Sequence, residues 1–130
     1  MTVQEYISTL APERAALISS LHNTIIDTNK KVKAEIGRMM GAEMIQYKIG
    51  NYFVYGLASV KNYMSLHAMP LYGHKPIHEK YSKLLTKATF QKGCINFKNA
   101  EEMPLNIAKD LLTDCAKIDW EAMIEKYKKK

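Results

Sequence analysis

Apolar residues recur every three or four positions at the start of the chain, and the period then shortens to two. Val3, Tyr6, Ile7 and Leu10 share one face of a short helix, which Thr2 opens with Glu5 three residues on as a capping box. Pro12 suits the first position of a second helix, whose stripe of Leu17, Ile18, Leu21, Ile25 and Ile26 ends near Asn29. Lys30 to Met40 reads as a weaker third helix. Val32, Ile36, Met39 and Met40 fit one side of it, Gly37 costs it stability, and Gly41 suits a C-terminal cap. Beyond that point aromatic and β-branched residues dominate. Met44 to Ile49, Asn51 to Ala58 and Tyr63 to Met69 read as three strands of an antiparallel meander, with turns at Gly50-Asn51 and Lys61-Asn62.

Pro76 restarts helix with Ile77, Tyr81, Leu84 and Leu85 on one side. Thr89 to Lys92 and Cys94 to Lys98 then form two short strands around Gly93, or one strand with a bulge. Pro104 opens a helix that turns Leu105, Ala108, Leu111, Leu112 and Cys115 inward, and Asp119 caps a last one bearing Trp120, Met123, Ile124 and Tyr127. The expected fold is α+β: one domain over residues 1–130, an antiparallel sheet packed by N-terminal and C-terminal helices. Helices occupy 2–40, the sheet and its inserted helix 43–98, and the closing helices 104–127.

Composition agrees. A chain of 130 residues supports one core, and 47% hydrophobic with 25% charged residues is a globular balance rather than a disordered one. No basic lead with an apolar run marks a signal peptide between Met1 and Ala16, and no stretch approaches the roughly 20 apolar residues that span a bilayer. Cys94 and Cys115 make neither a disulfide framework nor a metal pair, so reduced thiols in the cytoplasm are expected. The net charge of +6 draws half its value from the tip Lys128, Lys129 and Lys130, and Arg14 and Arg38 are the only arginines among 19 basic residues. Arginine is the residue that forks onto phosphates and base edges, so this distribution argues against nucleic acid.

Alternation puts Tyr63, Ser65 and His67 on one face of the third strand and Met64, Leu66 and Ala68 on the other. The second set reads as core. On the neighbouring short strand Lys92, Cys94 and Asn96 share a side. If the two polar rows face the same way, they form a small pocket with donors, an imidazole and a thiol. The plainer alternative is a half-solvated outer sheet face. Lys92-Gly93 could let a phosphate or carboxylate approach the backbone, although no phosphate-binding loop motif is present. Cys94 with His67 would serve a thiol enzyme only if the imidazole made a thiolate, and no signature surrounds Cys94. His74, His78 and Glu79 are candidate metal ligands, but Pro76 leaves His74 ahead of the helix, and a third ligand from elsewhere would be needed. Tyr52, Tyr55, Tyr63 and Tyr72 read as cover for the sheet, and the methionines, including Met39, Met40, Met64 and Met123, as core filling.

Glu43-Met-Ile-Gln-Tyr47, the strand Tyr52-Phe-Val-Tyr55, Tyr63 to His67, Lys92-Gly-Cys-Ile-Asn-Phe97 and Met103-Pro104-Leu105 together resemble the YdhG-like proteins. These are small bacterial proteins, one branch of which is described as a frataxin-like intracellular iron chaperone. The resemblance covers most of the chain and implies an α+β sandwich with helices on a curved antiparallel sheet, with iron as a cargo. An iron surface of that kind wants an acidic ridge. Here Glu5, Glu13, Asp27 and Glu35 stand singly among lysines, and Glu101-Glu102 is the one adjacent acidic pair.

The functional expectation is a non-enzymatic binding or carrier protein of this type, with iron handling as the role the resemblance implies. The alternative is a module for a small anionic ligand or a protein partner at Tyr63, Ser65, His67, Lys92, Cys94 and Asn96, without a metal. A thiol enzyme is the third class. Self-association through a strand edge has no positive sign in the sequence.

Overall fold

Six strands form one antiparallel sheet, and the described helices turn their buried side chains toward one face of it. The computed structural model describes residues 1–39 and 41–118 together with Ala122 and Glu125. Met40, the expected helix from Asp119 with Trp120, Met123, Ile124 and Tyr127, and the lysine tip fall outside the described residues.

Two helices open the chain. α1 (Val3–Ser8) carries the expected capping box, the Glu5 amide donating to Thr2 Oγ1 at 3.1 Å and the Thr2 amide to Glu5 Oε1 at 3.0 Å. α2 (Pro12–Thr28) buries Leu17, Ile18, Leu21 and Ile25, its apolar stripe. The strands that follow are β1 (Lys33–Met39), β2 (Ala42–Ile49), β3 (Tyr52–Ser59) and β4 (Met64–Ala68). Next come α3 (Met69–Gly73), α4 (Lys75–Leu84), β5 (Thr89–Phe90), β6 (Cys94–Phe97) and α5 (Leu105–Ala116). The strand order is β1-β2-β3-β4-β6-β5, a meander extended by a hairpin run backwards.

The helix expected over Lys30 to Met40 is instead strand β1. Val32, Ile36 and Met39 satisfy a helical period, but Ala34 and Ile36 also alternate with Lys33 and Glu35, and both pack against the core. The full-length ladder that β2 offers, from Lys33 opposite Lys48 to Met39 opposite Ala42, decides between the two periods. Gly41 accordingly turns a hairpin, at φ 79°, and caps no helix. The N-terminal helical layer therefore stops at Thr28 rather than at residue 40. Pro76 sits inside the first turn of α4, one residue later than expected, and the short α3 was not foreseen.

Between the sheet and α2 and α5 lies one core, with Ile45, Tyr47, Leu57, Leu66 and Phe97 from the strands and Leu21, Leu111 and Leu112 from the helices. Tyr55 belongs to it and does not cover the outer sheet face as expected. Register slips between β2 and β3: Tyr47 faces Tyr55, yet Lys48 faces Phe53. Val54 is the extra residue of a β-bulge, so Val54 and Tyr55 both go into the core while Phe53 and Gly56 share the opposite face. The Tyr47 hydroxyl is 2.7 Å from His22 Nδ1, which gives the first histidine of the chain a structural task.

Two polar clamps hold elements together. The Arg14 guanidinium of α2 donates to Ser59 Oγ and to the carbonyls of Val60, Lys61 and Tyr63, tying the β3–β4 turn to the helix layer. Asp114 of α5 accepts from the buried Tyr81 hydroxyl and from Lys80 Nζ of α4. Those donors hold its carboxyl below the usual carboxylate range.

Removing the first clamp with Arg14→Met should cost about 1.5–3 kcal/mol in urea unfolding, the worth of hydrogen bonds to a charged group. The second clamp predicts a pH dependence. A carboxyl depressed in the folded state stabilises above its unfolded value of about 3.9, and that contribution disappears as pH falls through the folded value. The stability difference between the parent and Asp114→Asn should therefore shrink between about pH 5 and about pH 2 as measured by urea midpoints.

Candidate functional site

Across the face opposite that core, strand pairing sets polar residues side by side. Because directly opposed residues project to the same side, His67 opposite Cys94 and Ser65 opposite Asn96 form two adjacent pairs. The Ala68 amide bonds the Gly93 carbonyl at 2.9 Å, so Ala68 and Gly93 make a hydrogen-bonded pair. The next pair, His67 and Cys94, is then of the non-hydrogen-bonded kind, in which α-carbons come to about 4.5 Å and side chains are closest. Ser65 Oγ uses this proximity and donates to Asn96 Oδ1 at 2.6 Å.

On the other side of His67, its partner on β3 is Gly56. A Cβ at Gly56 would lie 2.9 Å from Phe53 Cζ and 3.0 Å from Met44 Sδ. The missing side chain lets those two lean in and raise an apolar wall beside the imidazole. Tyr63, Tyr72 and Lys92 stand exposed at the rim. The result is a cavity of about 620 Å³. Tyr63, Ser65, His67, Lys92, Cys94 and Asn96 all line it, so the two rows predicted from alternation do look into one hollow. Among the described residues no aspartate or glutamate lines it, and Lys92 is its charged group.

Burial lowers the His67 pKa, which leaves the ring neutral near pH 7, and no described side chain hydrogen-bonds it. Burial raises the Cys94 thiol. Its Sγ lies 3.0 Å from Gln91 Oε1, to which it donates, rather than to the imidazole. A nucleophile needs the reverse of this, a thiolate sustained by an imidazolium. Cys115 is buried on α5 and pushed up to about 12.

The metal candidates do not assemble. His78 Nε2 lies 2.9 Å from the Gln91 carbonyl, and its ring meets Phe90 edge-on at 5.4 Å, so it props the β5–β6 turn that carries Lys92. His74 lies at the junction of α3 and α4, and Glu79 pairs with Lys75 at 3.8 Å. Among the described residues no group of three or more His, Cys, Asp or Glu could hold a metal ion. No described helix is long and apolar enough to cross a membrane.

The walls made by Met44, Phe53 and Tyr72 are what alternation alone does not reveal. Phe53 and Gly56 are an odd number of residues apart, and only the bulge puts them on one side. Met44 leaves no polar signal at all. No family model, no curated protein and no solved structure matches this chain.

Because Cys94 is a desolvated thiol with a donor bond, its alkylation by iodoacetamide should be slower than that of a free cysteine and should rise through a midpoint above roughly 8.5. Cys115 should react only on unfolding. Peptide mass spectrometry across pH reads both; a midpoint near neutrality at Cys94 would restore the thiol-enzyme reading.

Proposed function

We propose that this chain is a non-enzymatic binding module whose open sheet face takes a small molecule with an apolar body and a hydrogen-bond acceptor. The observation that carries this reading is the His67 imidazole, recessed beside Met44 and Phe53 and without a hydrogen-bond partner among the described residues. His67 is half-buried, so its ring opens to the hollow with hydrogen-bonding capacity to spare, the kind of polar group that orients a ligand in an otherwise apolar site. The cavity volume of about 620 Å³ falls in the ordinary range for small-molecule sites. Two free, buried thiols fit a reducing compartment such as the cytoplasm.

The carrier role of the YdhG-like proteins is compatible with such a module, but iron as cargo draws no support from this cavity. Hard cations take oxygen ligands, and no carboxylate lines it. Iron would need acids elsewhere, such as Glu101-Glu102.

Amide NMR of the chain against a library of small metabolites, with Fe(II) as one arm, tests the proposal. Ligands should move Ser65, His67, Cys94 and Asn96 together and saturably. Filling the hollow with Ser65→Met should weaken them at least several-fold, with circular dichroism confirming the fold. Hits that cluster on the helical face, or Fe(II) broadening centred on Glu101 and Glu102, would displace this reading.

A further inference from the structure

We propose that the ligand of this cavity is a carboxylate on an apolar body, its charge held between His67 and Lys92 and its body lying along Met44 and Phe53. The inference rests on the cavity being a binding site and names the chemistry that the site selects.

Hydrogen-bond capacity left over in the lining decides the sign. Both side-chain carbonyls there are already engaged, Asn96 Oδ1 by Ser65 and Gln91 Oε1 by Cys94. Each amide thereby has its NH2 group to offer. The Ser65 hydroxyl and Cys94 thiol protons are spent in those same two bonds. What remains for a ligand includes the donors of two amide NH2 groups and of the Lys92 ammonium, while the Tyr63 and Tyr72 hydroxyls and the neutral imidazole can each donate or accept. Lys92 has no ion-pair partner among the described residues. A donor-rich, singly cationic, carboxylate-free hollow is complementary to an acceptor that bears one negative charge. A phosphate, which commonly recruits arginines, finds none among the described residues of this lining. The apolar wall then favours a hydrocarbon or aromatic body over a bare ion.

Binding should draw a proton onto His67. Without ligand the ring is held neutral by burial. An adjacent carboxylate favours the imidazolium and raises its pKa. The titratable groups that share the hollow are Cys94 from β6, Lys92 from the β5–β6 turn, Tyr63 ahead of β4 and Tyr72 from α3; β1, β2 and β3 line it with none. Lys92 opposes the proton, but it is exposed, and its repulsion is screened by water and salt. Affinity for the anion therefore grows as pH falls from the bound-state pKa of His67 to its lower free-state pKa, and levels off on either side.

Octanoate, octanol and octyl phosphate, titrated by calorimetry into the full chain at about pH 8 and about pH 6, test this, with the His67 ring followed by NMR. Octanoate should tighten on acidification by at most about tenfold per pH unit, the limit for one linked proton. The His67 pKa should rise on binding, and octanol should bind more weakly with no pH dependence. His67→Gln should abolish the pH dependence, and Lys92→Gln should weaken octanoate about twofold to fivefold while leaving octanol unchanged. Equal, pH-independent binding of octanoate and octanol would overturn the anion assignment and leave the cavity reading standing. Tighter binding of octyl phosphate would overturn the carboxylate. Failure of all three probes, or a concentration-dependent dimer in sedimentation that occludes His67, would overturn the inference. If the metabolite library also fails, the cavity reading falls with it.

Discussion

Strand β4 joins the N-terminal meander to the β6–β5 hairpin, and its register determines what both faces of the sheet can be. Met64, Leu66 and Ala68 enter the core, while Ser65 and His67 go to the opposite side. A slip of one residue would put an imidazole and a hydroxyl among leucines and send three apolar side chains to water. Burying those polar groups without partners would cost several kcal/mol in all, at about 1–3 kcal/mol each. The packing of α2 and α5 therefore fixes the functional face indirectly, by making only one alignment of β4 affordable.

Given that alignment, the hollow arises from a local irregularity. In a regular strand Phe53 and Gly56 would point to opposite sides. The bulge at Val54 brings them together, and the absence of a Cβ at Gly56 lets Phe53 and Met44 close over the spot. The same extra residue adds Val54 beside Tyr55 in the core. One insertion thus thickens the core on one side of the sheet and shapes a wall on the other, where Phe53 and Met44 meet over Gly56 and Met44 is almost fully out of water.

Much of this was legible in the chain itself. The Thr2 capping box, the α2 stripe, the meander, the two short strands around Gly93 and the convergence of the β4 and β6 polar rows all follow from period and turn chemistry. What stayed hidden has a physical cause in each case. β1 reads as helix because its apolar residues satisfy both periods, and only pairing with β2 separates them. Tyr55 looks like surface cover because tyrosine suits either side of a sheet, and only its pairing with Tyr47 in register with Leu57 places it in the core. His78 suggests a ligand, but its bond to the Gln91 carbonyl depends on where the β5–β6 turn comes back along α4, a tertiary fact.

The desolvated pair at the centre of the hollow discriminates between functions. A thiol and an imidazole that face each other across a sheet are the raw material for nucleophilic catalysis, and each is shifted in the wrong direction for it. Burial favours the neutral form of both, and Gln91 takes the thiol proton's bond that a base would need. An imidazole kept neutral and unspent next to an apolar wall has a different use. It can accept a proton when an anion arrives, so that charge enters the hollow as a compensated pair rather than as a lone ion. The apolar surroundings that disfavour a lone charge on His67 also strengthen its attraction to an anion once the pair forms. On the proposed reading, the site would therefore couple recognition of charge to recognition of an apolar body.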